Sequence, residues 1–102
     1  FISKLDPAGN FIWAKAIEGT GFDKGHSIAL DAWGNVFTTG GFNGTADFDP
    51  GPGIFNLTSS ASQDIFISKL DGSGNFVWAK QIGGTGLDVG YSIITEGVGN
   101  VY

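Results

Sequence analysis

Cysteine is absent from this 102-residue chain, which removes disulfides, thiolate metal sites and cysteine nucleophiles together. Histidine occurs once, at His26, so no second imidazole is at hand for a metal or a proton relay. Basic residues are scarce: five Lys and Arg stand against ten Asp and Glu, a net charge of −5. A basic surface supplies most of the affinity for nucleic acid, and this chain has none to offer. The same deficit disfavours an anionic membrane surface. No run approaches the ~18 apolar residues of a membrane span, so membrane insertion is not expected. Neither an initiator Met nor a signal peptide is visible. With three prolines and no Gly-X-Y period, a collagen-like chain is excluded.

What is present is glycine, and a repeat. Eighteen residues are glycine, more than twice the usual share of about 7%. They punctuate short apolar segments, as a turn-rich all-β protein requires. Sliding the chain against itself by 65 positions pairs residues 1–37 with 66–102, and 23 of the 37 pairs are identical. FISKLDPAGNFIWAKAI at 1–17 becomes FISKLDGSGNFVWAKQI at 66–82. One supersecondary unit is being copied.

Inside the unit a second pattern recurs four times: acidic-x-x-Gly-Asn at 6–10, 31–35, 71–75 and 96–100. A short hairpin connection uses a type I turn followed by a residue at positive φ, where glycine carries no Cβ penalty. The leading carboxylate accepts hydrogen bonds from the turn's own amides. Each copy therefore reads as a hairpin reversal; a calcium loop would need more oxygen ligands than one carboxylate per turn supplies. The flanking segments place strands at about 26–31, 35–42, 64–71 and 75–82, with 19–25 as a loop and 43–63 as a long connection rich in turn chemistry. Apolar residues on both faces of such strands imply sheets stacked on sheets, and the radial solution is a β-propeller.

The segments SIALDAWGNVFTTGGF, GTADFDPG and DIFISKLDGSGNFVWAK, in that order, resemble the bacterial β-propeller repeat family abbreviated SBBP. The resemblance implies a multi-bladed propeller within a large secreted or surface-exposed bacterial protein, hence an extracellular or cell-surface location. It implies no catalytic residues. The expected fold is all-β: a β-propeller fragment of four-stranded antiparallel blades. Residues 1–17 would be the outer hairpin of one blade, 26–82 a complete blade, and 91–102 the inner hairpin of the next. The remaining blades of a longer propeller are then the first expected partners. Cut from them, the piece would leave apolar faces and strand edges open and would oligomerise.

The functional expectation is a non-catalytic module that acts as scaffold or binds protein or carbohydrate through its rim loops. The loop 19–25 and the connection 43–63 would share one rim, with a contact surface around Phe22, Asp23, Phe48 and Asp49. No cofactor is expected. The one acidic set with a metal alternative is Asp47, Asp49 and Asp64, which could offer oxygens to Ca²⁺; turn-forming carboxylates are the other reading, since Pro50 to Gly53 supply no further ligands. His26 aligns with Tyr91 in the second copy, so the position asks for an aromatic body with a polar edge rather than for an imidazole. The alternative to a binding module is part of a propeller enzyme whose active site is assembled from blades outside this chain.

Overall fold

The computed structural model describes residues 1–102 and contains no helix. Nine strands follow in order: β1 (Ile2–Leu5), β2 (Phe11–Lys15), β3 (Glu18–Gly19), β4 (Asp23–Leu30), β5 (Val36–Phe42), β6 (Thr45–Asp47), β7 (Asn56–Thr58), β8 (Asp64–Leu70) and β9 (Phe76–Ile82). They form three sheets: β1-β2, β3-β6-β7 and β4-β5-β8-β9. All strand pairs are antiparallel. The four strands expected from 26 to 82 are those of the largest sheet, displaced at their ends by no more than a few residues.

The hairpins form where the repeated turn predicts them. Gly9, Gly34, Gly74 and Gly99 take φ of 85°, 80°, 82° and 89°, the left-handed conformation that a side chain would strain. In each turn the glycine amide donates to the carbonyl of the acidic residue, at 2.9, 3.1, 2.9 and 2.7 Å. Asp6, Asp31 and Asp71 use their side chains identically. Oδ1 accepts from the second following amide and from the Asn amide, and Oδ2 accepts from the Asn side chain. Glu96, one methylene longer, keeps only the bond from the Asn100 side chain.

Period-2 geometry sorts the four-stranded sheet into two faces. Val36 lies opposite Leu70, and Thr38 opposite Ser68, on one face; Phe37 lies opposite Lys69, and Thr39 opposite Ile67, on the other. The first face carries the core. One cluster joins Ile2, Val36 and Leu70, flanked by Trp13, Ile17 and Phe76. A second joins Phe42, Ala46, Phe48, Phe66 and Ala79. The β1-β2 hairpin is thus laid over this face, and its Lys4 Nζ and Trp13 Nε1 donate to the Gly72 carbonyl at 3.1 and 3.4 Å.

The opposite face is covered by the chain after β9. Ile93 N donates to Ser27 Oγ at 3.3 Å, Thr95 Oγ1 donates to the Leu30 carbonyl at 2.7 Å, and the Tyr91 ring meets His26 at 5.3 Å. Gly90 passes so close to Thr39 and Ile65 that a Cβ would collide with both. Three layers result, in the order of the chain: hairpin, four-stranded sheet, and the segment 90–102.

Candidate functional site

The rim formed by residues 18–25 and 43–63 is more ordered than loop chemistry suggests. Glu18–Gly19 pairs with β6, Glu18 opposite Asp47 and Gly19 opposite Ala46, and Thr20 N continues the ladder to the Thr45 carbonyl at 2.9 Å. The connection folds on itself, Thr45–Asp47 against Asn56–Thr58. A three-stranded ribbon therefore ties the first hairpin to the central sheet. The alternation Ala46-Asp47-Phe48-Asp49 is the signal for it: Ala46 and Phe48 are fully buried while the two carboxylates face outward.

This placement corrects the expected contact surface. Phe48 is not on it: the ring packs on Phe42 and Phe66, at 5.3 and 5.1 Å between centroids, with no exposed area. Its apolar bulk gains more from the core than a rim position offers. Asp23 is half-buried at the start of β4, opposite Phe42. Burial raises its pKa, against a smaller opposing effect of the Asn43 amide. Phe22 remains exposed, at 68%. Asp49 is partly exposed and accepts from the Gly51 amide at 2.8 Å. The sequence reading missed Ile54, which stands 77% exposed near the ribbon tip.

The three calcium candidates do not converge. Asp47 Oδ1 accepts from the Asp49 and Phe55 amides at 3.0 and 2.8 Å, closing the ribbon turn. Asp64 lies at the other end of the ribbon, fully buried. Its Oδ2 accepts from Ser60 N at 3.0 Å and from Gln81 Nε2 at 2.6 Å, while the same Gln81 reaches the Thr58 carbonyl. Each carboxylate has its amides already, and no group of three or more His, Cys, Asp or Glu side chains is gathered for a metal. His26 is half-buried against Tyr91, an aromatic contact between layers.

The turn carboxylates are electrostatically distinct. The Asn10 side chain and backbone amides hold Asp6 below its ordinary value. The Asn75 backbone and side-chain amides do the same for Asp71. Burial pushes Asp31 upward, but the Asn35 and Trp33 hydrogen bonds and the Lys69 charge outweigh it, and its pKa is lowered. All three are committed acceptors, fixed as anions by the turn.

An apolar groove of about 440 Å³ opens on the other side of the molecule, between β1 and β4. Ile2, Leu5, Trp13, Ile28, Leu30 and Val36 line it. Ile28 and Leu30 are 55% and 61% exposed there, on the same face of the sheet as Val36 and Thr38, to one side of the first hairpin.

Comparison with known proteins finds a relative in Acanthamoeba polyphaga mimivirus, an uncharacterized WD repeat-containing protein. It is 32% identical over 116 aligned positions that take in all of this chain. The chain spans 8% of that protein's length. No protein-family model matches, and no solved structure matches. The relative is viral and not bacterial, which overturns the expected placement in a bacterial protein and with it the ground for an extracellular location. That expectation rested on family resemblance alone.

Proposed function

We propose that the chain is a non-catalytic module of a repeat scaffold, a stretch of β-propeller in which four-stranded sheets stack face to face. The observation that carries this reading is the three-layer order: each layer is a piece of the same 65-residue unit, and consecutive pieces cover opposite faces of the central sheet. A sheet apolar on both faces needs a neighbour on each. The similarity to a WD repeat-containing protein supports the repeat-scaffold reading, and the SBBP-like segments support the blade assignment of 26–82. The carboxylates of Asp6, Asp31, Asp71 and Asp64 already accept from their turns or from Gln81 and Ser60, which supports a non-catalytic role.

The ribbon rim is the surface through which such a module would meet a protein or carbohydrate, with Phe22 and Ile54 as exposed apolar anchors on a rigid support. Probing the chain on glycan and peptide arrays tests it. Binding that is lost in Phe22→Ser and Ile54→Ser is expected. Binding indifferent to both would place the contact elsewhere, and no binding on either array would reduce the module to a structural spacer.

A further inference from the structure

Two of the three prolines follow an aspartate: Pro7 follows Asp6, and Pro50 follows Asp49. An Asp–Pro bond is the peptide bond most easily broken by acid. The carboxylate stands one five-membered ring away from its own carbonyl carbon, so the attack is intramolecular. The proline nitrogen, a tertiary amide, protonates and leaves more readily than an ordinary peptide nitrogen. The fold treats the two bonds differently. At Asp6, Oδ1 accepts from the Ala8 and Asn10 amides at 2.9 and 2.8 Å, and Oδ2 accepts from the Asn10 side chain at 2.9 Å. The Asp6 carbonyl is held as well, by the Gly9 amide at 2.9 Å. To reach that carbonyl the carboxylate must leave three donors; the Asn10 side chain, first among them, holds its pKa down.

Asp49 lies at the tip of the ribbon, in the stretch 49–54 that joins β6 to β7 beyond the Phe48–Phe55 backbone hydrogen bond of 2.9 Å. Its carboxylate has one donor, the Gly51 amide on Oδ1 at 2.8 Å. That bond closes an Asx turn over Pro50 and keeps the carboxylate folded back on its own peptide group. Oδ2 has no donor, and no amide holds the Asp49 carbonyl. The charged side chains that face Asp49 are Glu18 of β3 and Asp47 of β6, which line with it, Pro50 and Gly51 a cavity of about 410 Å³. No Lys or Arg lines that cavity, so no cation pins the carboxylate, and water reaches the bond.

We propose that Asp49–Pro50 is a self-processing site, at which the folded chain cuts its own backbone in mild acid. A carboxylate oxygen of Asp49 adds to the Asp49 carbonyl carbon, the C–N bond to Pro50 breaks, and the proline nitrogen leaves with a proton taken from the medium. Water then opens the cyclic anhydride, so that Asp49 becomes a new C-terminus and Pro50 a new N-terminus; nothing is oxidised or reduced. The pieces 1–49 and 50–102 stay joined. The cut parts β5 from β8, which pair along seven residues, and β6 from β7, which pair along three, and both ladders survive it. The product is a two-chain protein with its ribbon open at the tip. It requires no ligand of the rim.

Incubating the chain for days at about pH 4.5–5, above the acid limb of the carboxylates, and weighing the fragments by mass spectrometry tests the site, with circular dichroism to follow the fold. Cutting at Asp49–Pro50 is expected to exceed cutting at Asp6–Pro7 by at least about tenfold, since only the second carboxylate is held by three donors. In about 6 M guanidinium chloride at the same pH the turns are gone, and the ratio should fall to near one. Asp49→Ala, at an exposed tip, should abolish the cut and leave the fold unchanged. The cut product should elute from a sizing column with the intact chain and part into its two pieces only in denaturant. A folded chain that is not cut, a cut that survives Asp49→Ala, or a folded ratio equal to the denatured one overturns the site. Because the folded-to-denatured comparison uses the unaltered chain, it decides the matter even if the variant misfolds. Pieces that separate without denaturant overturn the two-chain product. Those results would leave rim binding untouched, which the Phe22 and Ile54 variants judge separately.

Discussion

A carboxylate that opens a turn is a titratable group tied to the fold, and its sign can be worked out. Asp6, Asp31 and Asp71 have pKa values lowered from 3.8. Between the lowered and the ordinary value the unfolded chain binds more protons. The stability these groups give is therefore complete above the ordinary value and is lost as pH falls through the lowered one. Asp23 runs the other way. Its pKa is raised by burial, so the folded chain holds the extra proton, and stability declines as pH rises from 3.8 through the raised value. Urea unfolding between about pH 2.5 and 7 should show a steep loss below about pH 4. Asp71→Asn should make that acid limb shallower, and Asp23→Asn should remove the opposing slope above it. An acid limb equally steep in Asp71→Asn would mean the turn carboxylate is not coupled to folding.

Identical strand sequences acquire different energies from their neighbours. β1 and the end of β8 share ISKL, yet Leu70 is 1% exposed inside the sheet and Leu5 is 55% exposed at an edge. Leu70→Ala should cost about 2–5 kcal/mol, the range for emptying a core site. Leu5→Ala should cost less than about 1 kcal/mol, because little buried area is removed. Denaturant midpoints of the two variants make the comparison within one protein, and equal losses would contradict the burial difference. The same comparison explains what the sequence could disclose. The four long strands and their turns were legible because each is local: alternation, a glycine at positive φ, and an Asp three residues before it. The ribbon was not, because Glu18–Gly19 is too short to read as a strand and gains its identity only from Asp47 and Ala46 across the sheet. Phe48 looked like a loop aromatic for the same reason. Its alternation with Asp47 and Asp49 was visible, but the Phe42 and Phe66 rings that claim it, six and eighteen residues away, are brought to it only by the fold.

At the scale of the whole molecule, protection should follow the layering. β5 is hydrogen-bonded on both sides, to β4 and β8, and β8 to β5 and β9. The amides of these two central strands exchange with solvent only when the sheet unfolds. The β1-β2 hairpin has no third strand, and it is held by Ile2, Trp13 and two bonds to the Gly72 carbonyl. No ladder joins β1 or β2 to the central sheet; the tether is the short β3-β6 pairing that follows β2. Hydrogen exchange on a dilute sample should therefore show β1 amides exchanging at least about tenfold faster than those of β8, despite the shared sequence. Exchange in β1 that is as slow as in β8 when dilute would mean the first hairpin folds as one unit with the central sheet.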